Sequence, residues 1–381
     1  MTARRDEIGP RMLPVSAPDL SGNEERYVVD AIRSSWISST GAYVDRFERE
    51  FAQLCETRAA VTVVNGTAAL HLALVALGVG PGDEVIVPSL TYVATANAVR
   101  YTGAEPVFAD VDDQTWCLSP TSVESAVSSR TRGIIAVHLY GHPADMDALG
   151  EIASLRGLWI VEDAAESHGA RYRDRPTGGL GSIGVFSFYG NKILSSGEGG
   201  ALTVNDPEIE ARIRLFRGQG MDPARRYWFP VVGYNYRLTN VACAILCAQL
   251  ERLDEILATR RRLFEGYRQR LASVDGLGFQ PTAPWAEPAP WLFCITVDAE
   301  QFGRTRDELA ELLASAGIET RPFFHPLHHL PPYLNATAGA LPTTERLAAT
   351  GMNLPTFAGL TDADLDQVAE VIADARGRGR R

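Results

Sequence analysis

Positive charge is what this chain is short of: 36 lysines and arginines stand against 47 aspartates and glutamates, for a formal net charge of -11. Binding to a phosphate backbone needs a basic face, so the balance argues against a nucleic-acid partner. It leaves room for a small phosphorylated ligand held by a few local donors. Long apolar runs are missing as well. None approaches bilayer length, and the opening Met-Thr-Ala-Arg-Arg-Asp-Glu is not followed by the hydrophobic core of a signal peptide, so a cytoplasmic protein with no membrane partner is expected. Cysteine is sparse and scattered, at 55, 117, 243, 247 and 294. Cys243 and Cys247 alone are close, at i,i+4 in an Ala-rich helical segment with no second ligand pair, which points to buried free thiols rather than zinc. No G-x-G-x-x-G follows the early strands, which disfavours a dinucleotide oxidoreductase.

What is present is an alternation of short apolar strands and helices. At 381 residues the chain is long enough for two domains. Strands are expected at Ala60 to Val64, Glu84 to Pro88, Pro106 to Asp110, Gly133 to Leu139, Leu158 to Asp163, from Gly184, and at Ala201 to Asn205, with helices between most of them. Near-continuous apolar strands imply a mainly parallel sheet covered on both faces, whose ligands collect at the carboxyl ends of the strands. Thr67, Tyr92, Asp163 and Lys192 all fall at or soon after such ends.

Four local patterns there carry chemistry. Asn65-Gly66-Thr67 joins a strand to a helix, where free N–H groups and the Thr67 hydroxyl can cradle a phosphate; the same triplet also serves as an ordinary N-cap. Asp163 ends a hydrophobic strand, where a buried carboxylate needs a cationic or donor partner, or simply caps the next helix. Lys192 follows an aromatic strand end among Phe186, Phe188, Tyr189 and Ile193. Partial desolvation there would favour the neutral, nucleophilic amine; a solvent-facing loop lysine fits the same stretch equally well. The long segment Arg214 to Tyr236 carries Trp228 and Phe229 and is suited to reaching another subunit. His325, His328 and His329 sit among three prolines with no carboxylate nearby, so no metal site is expected. Trp285 to Pro290 reads as a linker, Met1 to Gly22 as an extended start, and Gly377 to Arg381 as a frayed end.

A phosphate cradle, an aromatic, a buried aspartate and an amine on one edge are together what pyridoxal phosphate needs. Through Glu162-Asp-Ala-Ala-Glu166, Phe186-Ser-Phe-Tyr-Gly-Asn-Lys-Ile193, Gly197-Glu-Gly-Gly200 and Arg217-Gly-Gln-Gly-Met-Asp-Pro-Ala-Arg-Arg-Tyr-Trp-Phe-Pro230, the chain resembles the DegT/DnrJ/EryC1/StrS sugar aminotransferases over nearly its whole length. The resemblance implies an α/β, aspartate aminotransferase-like fold type I with a mainly parallel seven-stranded sheet. Residues 1–250 would be the large cofactor-binding domain and 251–381 a smaller C-terminal α/β domain entered through a long helix. It implies pyridoxal 5'-phosphate, passing through pyridoxamine 5'-phosphate, with Lys192 as Schiff-base lysine and proton shuttle and Asp163 as partner of the pyridine nitrogen. Tyr92 would stack on the ring, Glu166 lie near its hydroxyl, and Gly66, Thr67, Ala68 and Ser187 hold the phosphate. Glu166 departs from the Gln of the wider group and agrees with the branch that makes GDP-perosamine. Asn235 would reach the phosphate of a neighbouring subunit, making a homodimer with shared sites.

Relatives that act as 3-dehydratases have histidine at the lysine position, so Lys192 favours transamination. The implied reaction moves an amino group from L-glutamate to GDP-4-keto-6-deoxy-D-mannose, giving GDP-perosamine. Amination at C3 of the isomeric keto sugar, giving GDP-mycosamine, shares the same motifs; a non-catalytic sensor keeping the fold would have lost the lysine or the aspartate. Arg225, Arg226, Tyr227 and Arg321 are candidates for the nucleotide, and His328 and Tyr333 for the sugar, each with a surface or interface role as the alternative.

Overall fold

A computed structural model of the chain describes residues 12–376. The expectation for Gly377 to Arg381, and that for Met1 to Gly22 over its first eleven residues, lie outside the described residues. A seven-stranded sheet forms the centre, in the spatial order Ala59–Val63, Gly200–Val204, Ile183–Ser187, Trp159–Asp163, Thr131–Val137, Glu84–Pro88, Glu105–Ala109. Gly200–Val204 runs antiparallel to both neighbours, and every other pairing is parallel. The seven strands expected from the sequence are these seven, displaced by a residue or two at their ends. Their burial on both faces explains the unbroken apolar runs: one core fills each side of the sheet.

Two features of this sheet bring distant turns together at one edge. The carboxyl ends of Trp159–Asp163 and Ile183–Ser187 lie side by side, with Asp163 paired to Val185. On the other flank of Ile183–Ser187, Ser187 pairs with Gly200 and Gly200 with Val63, so the turn after the first strand arrives beside the lysine-bearing loop. That approach needs glycine on both sides. A Cβ on Gly66 would stand 2.8 Å from the Ser187 Cβ, and one on Gly200 2.6 Å from the Asn65 carbonyl oxygen. The helix Gly66–Ala76 then runs into the interior, buried on nearly every residue because it is apolar almost all round.

A second sheet, all antiparallel, has the order Leu277–Phe279, Phe293–Val297, Gly351–Leu354, Arg321–Pro322. The helices Leu253–Leu271, Arg306–Ser315 and Asp362–Ala375 pack on it around a third core. The long helix expected through Leu246 and Leu271 is two helices, Asn240–Glu251 and Leu253–Leu271, broken at Arg252. There the backbone leaves helical geometry and the guanidinium bonds Asp19 and Glu255. The stretch read as a linker, Trp285 to Pro290, instead supplies Ala286–Glu287 to a small sheet with Arg171–Tyr172 and Arg175–Pro176. The described N-terminal residues cross between the two sheets: Leu13 joins the third core, the Val15 N–H donates to Glu319 Oε2 at 2.9 Å, and the Ser16 hydroxyl donates to the Asn191 carbonyl at 3.3 Å. All five cysteines are buried and unpaired.

Candidate active site

The strand ends and the second sheet enclose a cavity of about 640 Å³. Its floor is Asp163, Glu166 and Lys192; Gly66, Thr67 and Ser187 form one end, Tyr92 a wall, and Arg321 reaches in from the second sheet. The structure therefore brings to one place most of the residues singled out along 255 positions of sequence, from Gly66 to Arg321.

The local geometry follows from a few interactions. Lys192 lies three residues after Tyr189 in a tight turn closed by its N–H to the Tyr189 carbonyl at 2.9 Å. Its side chain is only 11% exposed; Nζ is 3.5 Å from Glu166 Oε1 and 4.0 Å from the centroid of the Trp291 ring. Burial lowers the pKa of this ammonium from its ordinary value, against the pull of Glu166 and Asp163. Burial also pushes Glu166 up to about 7, opposed by Lys192 and by the Tyr140 N–H that donates to its Oε2 at 2.8 Å. Both shifts favour the neutral forms. Asp163 is raised by burial too, opposed by the Thr95 hydroxyl donating to Oδ2 at 2.8 Å and the Ala165 N–H donating to Oδ1 at 3.3 Å.

At the opposite end, Asn65 caps the buried helix by accepting the Ala68 N–H at 2.8 Å. Ala68 was expected to hold phosphate, but its amide is committed to that cap and it does not line the cavity. Gly66 and Thr67 keep their N–H groups at the first turn, where a helix favours an anion.

Other expected residues stand apart. Tyr333 is a correction: it is 1% exposed in the core beside Phe108, with its hydroxyl on Asn97, because the turn Pro331–Tyr333 folds under the sheet edge and cannot present it to a sugar. His328 does not line the cavity of its own chain; its Nδ1 lies 2.7 Å from Ser89 Oγ. Arg225, Arg226 and Tyr227 lie exposed on the Met221 to Pro230 loop, Arg225 stacked over Trp228 at 4.2 Å and Arg226 over Tyr227 at 4.9 Å, and none lines the cavity within one chain. Asn235 borders a separate surface hollow with Phe229 and Val231.

Sequence reasoning missed Thr95, Trp291, Tyr140 and Asn353, all of which line the cavity. The i,i+4 pair Thr91 and Thr95 after a strand end was the one available signal for Thr95. Trp291, just before the second sheet's strand Phe293–Val297, and Asn353, on its strand Gly351–Leu354, had none.

Comparison with known proteins agrees with this geometry. The profile of the DegT/DnrJ/EryC1/StrS aminotransferase family matches residues 18–373. A GDP-perosamine synthase of Caulobacter vibrioides is 49% identical over 357 residues, 93% of this chain and 96% of that one. One from Escherichia coli O157:H7 is 42% identical over 363 residues, 95% and 98% of the two chains. The crystal structure of DesV from S. venezuelae superposes with a TM-score of 0.87 at 40% identity, covering 93% of this chain and 95% of that one.

Aminotransferases of this family depend on pyridoxal 5'-phosphate, and the residues present fit that group. At Gly66 the backbone passes so close to Ser187 that a Cβ would stand 2.8 Å from the Ser187 Cβ, which sets the first-turn N–H groups beside the Ser187 hydroxyl at the cavity end. The buried Asp163 carboxylate accepts only two hydrogen bonds and faces a cavity able to bring it a cation. Lys192 is a desolvated amine on the same floor.

Proposed function

The chain belongs to the DegT/DnrJ/EryC1/StrS aminotransferase family, and we propose that it moves an amino group from L-glutamate to C4 of GDP-4-keto-6-deoxy-D-mannose, producing GDP-perosamine and 2-oxoglutarate. The observation that carries the chemistry is the meeting of Lys192, Asp163 and the Gly66–Thr67 cradle in one cavity. The acceptor rests on the 49% and 42% identity to GDP-perosamine synthases over nearly full lengths.

When bound, pyridoxal 5'-phosphate supplies an aldehyde that takes up the donor's amine and a ring that accepts the electrons of the bond broken at the donor's α-carbon. The N–H groups of Gly66 and Thr67 and the Ser187 hydroxyl would hold the phosphate. Asp163, kept in place by Thr95 and Ala165, would hold the proton on the ring nitrogen. Tyr92, 58% exposed on the cavity wall, is available to stack on the ring. Lys192 Nζ acts as the mobile base: it removes the α-proton of glutamate and later delivers a proton to C4 of the sugar. Glu166, 3.5 Å away, favours the charged form of Nζ against the burial that disfavours it. Trp291 covers the amine with its ring face, 4.0 Å from Nζ to the ring centroid. Arg321, with its guanidinium at the cavity edge, would meet the anionic part of donor or acceptor.

The same reading makes the enzyme a cytoplasmic homodimer, with the division between its two domains near residue 250. Asn235 and the exposed Arg225, Arg226 and Tyr227 would then serve the neighbouring copy's site, which accounts for their distance from the cavity of their own chain. The deciding experiment is incubation with L-glutamate and GDP-4-keto-6-deoxy-D-mannose, with the product amine located by NMR. An amine on C4 is expected; an amine on C3, or no amino sugar, overturns the acceptor assignment.

A further inference from the structure

Outside the cavity, two segments bring three metal-ligating side chains together. The turn Leu327–His329 carries two consecutive histidines whose ring centroids are 4.1 Å apart. The helix Pro342–Thr350 carries Glu345 in its first turn, and Glu345 Oε1 lies 3.5 Å from His328 Nε2 and 3.8 Å from His329 Nε2. All three ligand atoms fall within 4.8 Å of one another. Tetrahedral zinc, with bonds of about 2.0–2.1 Å, sets its ligand atoms about 3.4 Å apart, so small side-chain rotations close the set. The sequence argued against a metal because no carboxylate neighbours the histidines; folding supplies one from sixteen residues downstream.

The frame around these ligands is built rather than incidental. Ser89 Oγ, 2.7 Å from His328 Nδ1, can take that nitrogen's proton in a hydrogen bond and leave the Nε2 lone pair free for an ion, the usual arrangement behind a ligating imidazole. Ser89 also accepts the His328 N–H at 3.3 Å, and its carbonyl accepts the Leu327 N–H at 2.9 Å. Asp110 fixes the other segment by accepting the N–H groups of Thr343 at 3.1 Å and Thr344 at 2.8 Å, just before Glu345. Ser89 and Asp110 each directly follow one of two neighbouring parallel strands, Glu84–Pro88 and Glu105–Ala109. His329 and Glu345 are exposed, which leaves a fourth coordination position open to water.

We propose that His328, His329 and Glu345 bind one divalent zinc ion per chain, separate from the cofactor, clipping the 327–345 segment to the outer strands of the large sheet. The test is calorimetric titration of chelator-treated holoenzyme with Zn²⁺, repeated on His329→Ala, Glu345→Gln and Ser89→Ala. One equivalent is expected in the parent protein. Affinity should fall at least about tenfold in His329→Ala and Glu345→Gln, and about tenfold at unchanged stoichiometry in Ser89→Ala, where the orienting bond alone is lost. The visible absorbance of bound cofactor, unchanged in all three variants, certifies that they fold. Co²⁺ in place of Zn²⁺ should give visible bands of low-coordinate geometry that disappear in His329→Ala. Absence of saturable Zn²⁺ binding in the parent, or binding that His329→Ala and Glu345→Gln leave unaltered, overturns the assignment.

Discussion

Glu162 and Asp163 are consecutive residues of one strand, both buried carboxylates, and they point to opposite faces of the sheet. Glu162 is saturated: it accepts the N–H groups of Gly178, Leu180 and Gly181, each at 2.7 Å, and His138 Nε2 at 3.0 Å. The Ala144 N–H donates to His138 Nδ1 at 3.0 Å, which makes Nε2 the donor, so this cluster holds together without a charged imidazole. Asp163 receives the Thr95 hydroxyl and one longer N–H bond, and its remaining capacity opens on the cavity with Lys192. A carboxylate whose donors are all supplied by the fold is a structural anchor, and one left short of donors is waiting for a ligand.

The comparison can be broken at several points. Lys192→Ala, the largest effect, should cut turnover at least about 10⁴-fold and remove the visible absorbance of lysine-bound cofactor; persistence of either signal denies the lysine its role. Asp163→Asn should lose about 10²–10³ in kcat with little change in the denaturation midpoint. Glu162→Ala should do the reverse, losing about 3–5 kcal/mol in denaturant melts because four buried donors are left without an acceptor. If both variants were to fail in the same assay, the distinction between anchor and ligand site would be gone. Thr95→Val keeps the shape and deletes one donor to Asp163, so about a tenfold loss in kcat is expected from steady-state rates.

The smallest effect concerns Glu166 in cofactor-free protein. Its folded pKa of about 7 lies above the ordinary 4.5, so the stability it adds is complete below pH 4.5 and lost as pH rises through 7. His142 and His168, pushed down to about 4 and about 3 by burial, act in the opposite sense. The useful quantity is therefore the melting difference between the parent and Glu166→Gln. It should shift against the parent between pH 4.5 and 7; a flat difference contradicts the burial that raises Glu166 against the pull of Lys192.

Much of this contrast was legible before folding, for identifiable reasons. Strands buried on both faces leave unbroken apolar runs, so all seven were readable, and Asp163 and Lys192 stand out where such runs stop. Glu162 carried no separate signal, because its partners are backbone N–H groups of the Gly178 to Gly181 turn that any sequence could provide. Trp291 and Asn353 come from the lead-in to, and a strand of, the second sheet, whose docking over the cavity no local pattern encodes. Tyr333 misled for the opposite reason: a phenol suggests a ligand, while its partner Asn97 lies 236 positions away. The break at Arg252 likewise depends on Asp19, far along the chain.

Glu319 is shared between two duties. One carboxylate oxygen holds the Val15 amide of the crossing N-terminal segment, and the other faces Arg321 Nη2 at 3.6 Å on the rim of the cavity. The crossing segment and the cavity rim are thus tied to a single side chain, and Glu319→Ala would release the Val15 amide and the Arg321 guanidinium together. Hydrogen exchange at Val15, slowed by that bond, would read its loss directly.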